Sequence, residues 1–131
     1  MRKLKGYVSS RNFMGERAPQ HIQNIIIRDY CTKNNYKYVL SATEYAFEES
    51  FFMLNNVLEE INKYDGIVAY SLFQLPSDIY DRNKIFKKIL SKNKQIHFAN
   101  ESMSILKLDD ALLINDIWEV KKYIKFSPQS I

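Results

Sequence analysis

The chain has 131 residues, 46% hydrophobic, 14% aromatic and 26% charged; this is one ordinary domain with enough apolar material for a core, which excludes a disordered chain. No apolar run approaches the ~20 residues of a membrane helix, and the basic start Met1-Arg2-Lys3-Leu4-Lys5 turns polar at Ser9-Ser10-Arg11 rather than continuing as a signal peptide, so no membrane is involved and a cytoplasmic location is expected. The formal net charge of +4 is mild; its lysines, Lys84, Lys87, Lys88, Lys92 and Lys94, then Lys121, Lys122 and Lys125, read as solvated helix faces and helix C-terminal charges, which argues against nucleic acid as a partner.

Residues 4–10 form a predicted first strand, and the loop after it carries Asn12, Gly15, Glu16 and Arg17. Pro19 suits the first turn of a helix that runs to Asn34 with Ile22, Ile25, Ile26 and Tyr30 on its inner face. Cys31 is the lone cysteine, read as a buried, inert thiol. Residues 36–40 make a second strand and Ser41 to Tyr45 the loop behind it. Phe47, Phe51, Leu54, Leu58 and Ile61 recur at three- and four-residue steps, the strongest helical pattern in the chain. Asp65-Gly66 turns into an apolar third strand, residues 67–72, suited to burial on both faces. Ser77 or Asp78 caps a third helix with Ile85, Phe86, Ile89 and Leu90 inward. Residues 95–99 give a fourth strand, 104–108 a short fifth, and Asp109 or Asp110 caps a last helix expected to turn Leu113, Ile117, Val120 and Ile124 inward.

Strands alternating with helices predict right-handed crossovers, hence an α/β domain with a mainly parallel sheet of four to five strands and helices on both faces, spanning residues 1–131. Ligands of such sheets bind beyond the carboxyl ends of the strands. The loops there hold Ser9, Ser10 and Arg11; Ser41, Thr43, Glu44 and Tyr45; Ser71, Phe73 and Gln74; Asn100, Glu101 and Ser102. Arg11 and Arg17, next to a helix N-terminus, form a candidate anion cradle, with an Arg11–Glu16 or Arg17–Glu44 ion pair as the structural alternative. His21, in the first helical turn, and Glu44 are the candidate acid–base pair. Ser9, Ser10, Gln20, Asn24, Thr43, Tyr45 and Gln74 complete the candidate substrate contacts, with Glu16 beside them. His97 sits in a strand with no partner at ligand spacing, so no metal is expected, and no cofactor-binding pattern is present.

Two resemblances bear on function. The order GYVSS, QNIIIRDYCTKNNYKYVL, DGIVAYSLFQLPSD, IHFANES resembles the catalytic domain of serine recombinases (resolvases and invertases) over residues 5–103. It implies a three-layer, flavodoxin-like fold with strand order 2-1-3-4. That family's arginine, spacer and nucleophilic serine fall on Ser9, Ser10 and Arg11, and its later aspartate and arginines on Phe73, Gln74 and Ser77, so strand exchange is not expected. The run GYVSSRNFMGERAPQHIQNIIIRDYC with LSATEYA and DGIVAYSLFQLP resembles the sporadic carbohydrate cluster family of bacterial lipopolysaccharide and capsule loci, over residues 6–103. This likeness implies a cytoplasmic role in surface-carbohydrate biosynthesis, with a sugar phosphate or nucleotide sugar as partner and a sugar-modifying enzyme as the leading reading. The alternatives are a non-catalytic binding or regulatory module in the same pathway, and a catalytically dead resolvase-like nucleic-acid binder. Exposed Phe52, Tyr80 or Tyr123 would suit a homodimer contact, with a monomer as the other option.

Overall fold

The computed structural model describes residues 1–10, 18–44 and 51–126. Five strands, β1 (Lys3–Ser9), β2 (Lys37–Glu44), β3 (Gly66–Ala69), β4 (Gln95–Phe98) and β5 (Met103–Ile105), form one sheet in the order β2-β1-β3-β4-β5. The first four are parallel and β5 runs antiparallel to β4. The order 2-1-3-4 therefore holds, and the fifth strand extends it on the β4 side. The helices are α1 (Gln20–Lys33), α2 (Phe52–Glu59), α3 (Ile79–Ser91) and α4 (Leu108–Phe126).

Alternation along each strand sends successive side chains to opposite faces. Leu4, Val8 and Val68 join Ile27 and Cys31 of α1 in one cluster. Tyr7, Ile67, Ala69, Ile96 and Phe98 meet α2, α3 and α4 in the other, larger one. Helices thus cover both faces, unequally, with α1 as the sole long helix in the smaller cluster among the described residues.

Three sequence expectations are corrected. Residues Ser41 to Glu44 are strand, not loop, because Tyr7, Val8 and Ser9 pair with Ala42, Thr43 and Glu44 after a one-residue register shift beyond Lys5. In α1 the buried stripe is Gln23, Ile27 and Cys31, while Ile22 and Ile25 are exposed; the sheet takes the face four residues apart that begins with an amide. In α4 the inward residues are Ala111, Ile114 and Trp118, whereas Leu113, Val120 and Ile124 are more than half exposed. Trp118 decides that rotation: its ring packs edge-on against Phe73 at 5.3 Å and its indole N–H donates to the Leu72 carbonyl at 3.1 Å.

Candidate functional site

The carboxyl ends of β1 and β2 place Ser9 beside Glu44 in register. Beyond them the chain returns through Pro19, whose carbonyl accepts from the Ile22 and Gln23 N–H groups and opens α1. That entry aims the Gln23 side chain back at the end of β1. Its Nε2 donates to the Ser9 carbonyl at 2.6 Å and the Ala18 carbonyl at 2.7 Å. Its Oε1 accepts from the Ser9 N–H at 3.1 Å and from Gln74 Nε2 at 2.8 Å. Both amide hydrogens and both carbonyl lone pairs are used, which is the full capacity of the group.

The network continues through the turn after β3. Gln74 Oε1 accepts from the Ser71 N–H at 3.3 Å, completing a capping box on the short 3-10 turn Leu72–Gln74. The Ser71 hydroxyl donates to Glu101 Oε2 at 2.7 Å, and the Leu72 N–H donates to Glu101 Oε1 at 3.0 Å. Ser9, Gln23, Ser71 and Gln74 are all buried. One continuous set of bonds therefore ties the ends of β1 and β3, the start of α1 and the turn after β4.

Glu44 occupies a different position. Its carboxylate accepts from the Met53 N–H at 3.0 Å, the Leu54 N–H at 3.1 Å and the Tyr7 hydroxyl at 2.9 Å. Phe51 precedes α2 without a side-chain cap, so this carboxylate satisfies two first-turn N–H groups from across the sheet and places its charge at the positive end of the helix. Asn24 faces β2, where its Oδ1 accepts from the Ser41 hydroxyl at 2.7 Å and the Tyr38 hydroxyl at 3.2 Å. Gln20, His21 and Thr43 are exposed, and Ser10 is half-buried. Arg11, Glu16, Arg17 and Tyr45, with Phe47, lie outside the described residues.

A second polar cluster sits under α1. His97 on β4 is buried, with the Tyr30 hydroxyl 2.7 Å from Nδ1 and Gln95 Oε1 2.9 Å from Nε2. An amide oxygen only accepts, so Nε2 carries the proton and Nδ1 accepts from the tyrosine. Desolvation, with the Arg2 charge as a second cause, holds the imidazole down to about 4. Burial pushes the Tyr30 phenol up to about 12 and the Cys31 thiol up to about 11, which leaves that thiol protonated and unreactive at neutral pH. Among the described residues no group of three or more His, Cys, Asp or Glu side chains is placed to hold a metal ion.

The sequence-predicted residues thus divide. Ser9 and Gln74 meet through Gln23, while Glu44, Asn24 and His21 go to three different surroundings. Hollows of about 360, 560 and 410 Å³ lie between α2 and α3, between α3 and α4, and along the outer face of α4; Ser9, His21, Glu44 and Gln74 line none of them. Of the residues that organise the edge, Ser71 and Glu101 lie in loops the sequence already placed there, without an assigned contact, and Gln23 and Tyr7 were not among the predicted contacts. The one signal for Gln23 was an amide at the head of an apolar i, i+4, i+8 stripe.

The fold resembles solved structures of site-specific recombinases. The N-terminal catalytic domain of TP901-1 integrase superposes with a TM-score of 0.60 at 15% identity, covering 91% of this chain and 95% of that one. A resolvase family site-specific recombinase from Streptococcus pneumoniae superposes with a TM-score of 0.63 at 11% identity, covering 91% and 88%. No family model and no curated protein sequence matches the chain. These findings correct the carbohydrate expectation. A role in lipopolysaccharide or capsule synthesis, with a sugar phosphate or nucleotide sugar as partner, has no sequence match behind it, and both structural neighbours are recombination proteins. The expectation against nucleic acid is corrected by the same two neighbours, both described as recombination proteins.

Proposed function

We propose that this chain is a resolvase-fold module directed at nucleic acid, which it binds without cutting or rejoining strands. The observation that carries the reading is the correspondence of fold over 91% of the chain with two recombinase structures. The part that denies strand exchange rests on the carboxyl edge. Phosphoryl transfer needs cations arrayed around the phosphate and a free nucleophile. In this chain Ser9 is buried and bonded through both main-chain groups to Gln23. Gln74 is turned inward to the same amide. The charges described there include the carboxylates of Glu44 and Glu101, a buried Arg82 whose Nε and Nη1 donate to Asn115 and to the Pro76 and Ser77 carbonyls, Lys122 on the same Ser77 carbonyl and Lys121 over the Phe73 ring; none of these cations is arrayed around Ser9. The proposal reads residues 1–131 as one domain and places it in the cytoplasm, where the lone buried Cys31 stays reduced.

The test is anisotropy of a labelled DNA duplex at roughly 50 and 200 mM salt, run beside a supercoiled-plasmid assay. Binding that weakens steeply with salt, with no covalent protein–DNA adduct and no relaxed plasmid, is the expected result. Absence of binding at the lower salt overturns the nucleic-acid reading; a covalent adduct or relaxed plasmid overturns the denial of strand exchange.

A further inference from the structure

The opposite, amino-terminal edge of the sheet carries a row of cations. Main-chain bonds run along it without a break: the Lys37 N–H donates to the Arg2 carbonyl at 2.8 Å, the Asp65 N–H to the Lys3 carbonyl at 2.8 Å, and the Gln95 N–H to the Asp65 carbonyl at 3.1 Å. At ~4.8 Å per strand the row spans roughly 15 Å. Two sharp turns build its ends. Asn35 and Asn93 take left-handed backbone at φ 60° and 58°, which swings the chain out of α1 and α3 and sets Lys37 and Lys94 at the mouths of β2 and β4.

Some of the charge there is already spent. Lys33 pairs with Asp29 at 2.9 Å and Lys63 with Glu60 at 2.7 Å, and lysines after α1 and α3 also suit helix C-terminal dipoles. Arg2, Lys3, Lys37 and Lys94 are different. Among the described residues none of them has a carboxylate within ion-pair distance, the recorded pairs lying elsewhere. Lys3 and Lys37 are direct partners on adjacent strands, an arrangement of like charges that destabilises a sheet. The row's one acid, Asp65, is half-buried and accepts the Lys3 main-chain N–H at 2.7 Å. A band of unpaired cations, with Arg2, Lys3 and Lys37 exposed and Lys94 half-buried, kept at a cost in stability, fits a polyanion with closely spaced charges.

We infer that this amino-terminal edge, and not the carboxyl edge, takes the phosphate backbone of nucleic acid. The inference rests on the nucleic-acid reading above and adds the surface to it. Duplex DNA presents one charge per ~1.7 Å of axis, so the row faces several phosphates at once. The contact is to backbone and carries no base sequence.

The experiment compares the double variant Lys3→Glu/Lys37→Glu with Lys84→Glu/Lys88→Glu on the exposed face of α3, by duplex anisotropy over a salt series. The edge variant is expected to bind at least ~10-fold more weakly, with the slope of log affinity against log salt reduced by roughly two; the α3 variant stays within about twofold of wild type. Should reversal of charge unfold the sheet edge, Lys3→Ser/Lys37→Ser supplies the same comparison, with thermal melting as the check on folding. Wild-type binding left intact by the edge variants overturns the inference while the nucleic-acid reading stands. A wild type that does not bind duplex overturns both, as does a wild type that prefers vesicles of anionic lipid to DNA.

Discussion

Gln74 Nε2 donates to Gln23 Oε1 at 2.8 Å, a contact between side chains 51 residues apart that joins the turn after β3 to the first turn of α1. Because Gln23 also bonds the Ser9 N–H and carbonyl and the Ala18 carbonyl, removing its amide strands several buried polar groups together. Leaving such groups unsatisfied costs far more than an average hydrogen bond is worth. Gln23→Leu, which keeps the volume and deletes the amide, should destabilise the protein by roughly 2–4 kcal/mol. Gln74→Leu, which removes fewer of these bonds, should cost less. Urea unfolding of both variants checks the order, and equal or reversed losses would show that Gln23 is not the hub.

The His97–Tyr30 pair makes stability depend on pH. His97 is held down to about 4 when folded, against an ordinary value of 6.5, so between those values the unfolded chain binds more protons. Stability contributed by the neutral imidazole is complete above pH 6.5 and is lost as pH falls toward 4, by up to roughly 3 kcal/mol. His97→Gln should flatten the fall between pH 6.5 and 4.5 relative to wild type, although carboxylates titrate in both. Tyr30 acts at the other end: with its phenol raised to about 12, stability is lost as pH climbs from 10 through 12. Chemical denaturation across a pH series of wild type and His97→Gln is the measurement, and parallel curves in the acid window would remove His97 as the cause.

How far the sequence could be read depends on what each pattern encodes. Period and punctuation locate elements, so the order of strands and helices, the Asp78 cap on α3 and the burial of Ile85, Phe86 and Ile89 were all legible. Periodicity does not say which of two apolar stripes finds a partner. In α4 the stripe Leu113, Ile117, Val120 and Ile124 is the more aliphatic, yet Trp118 turns the helix the other way because its N–H reaches the Leu72 carbonyl. The arrangement of the candidate site residues was not legible. Glu44 looked like a free carboxylate on a loop; it lies on a strand that continues through register pairing with Ser9, and from there it caps α2. A cap supplied from another element leaves no local mark in the sequence. The basic edge was hidden for the same reason, since Lys3, Lys37 and Lys94 become neighbours only through strand order.

Gly66 tests how closely β3 and β4 must approach. A Cβ placed there would collide with the Gln95 carbonyl oxygen and come within 3.0 Å of its carbonyl carbon. Both are backbone atoms of the adjacent strand, which cannot step aside without breaking the ladder at the Gly66–Gln95 pair. Gly66→Ala should therefore destabilise by roughly 2–4 kcal/mol even though alanine has the higher strand propensity. On a domain of this size that lowers the melting temperature by roughly 6–16 °C. A thermal melt of the single variant decides it, and an unchanged midpoint would mean the strands can separate at this end without penalty.

Arg82 and Trp118 lock α4 onto α3, and the bonds of Arg82 separate what is structural there from what is decorative. The guanidinium is fully buried, lies 4.8 Å over the Trp118 ring, and donates to Asn115 Oδ1 at 2.9 Å and to the Ser77 and Pro76 carbonyls at 2.8 and 3.1 Å. Desolvation lowers its pKa, opposed by Glu119 and Asp78. Its remaining amino group, Nη2, has no hydrogen-bond partner among the described residues, and Glu119 stands 4.0 Å away with its side chain 60% exposed. Deleting a buried, hydrogen-bonded cation leaves its acceptors orphaned, so Arg82→Ala should cost roughly 3–5 kcal/mol. Arg82→Lys keeps the charge but not the fork that bridges two carbonyls and an amide, and it should recover only part of that loss. Glu119→Gln removes a long, solvent-screened pair and should change stability by less than about 0.5 kcal/mol. Equilibrium urea unfolding of the three variants at neutral pH ranks them; a Glu119→Gln effect as large as that of Arg82→Ala would show that the surface carboxylate, rather than the buried hydrogen bonds, holds α4 in place.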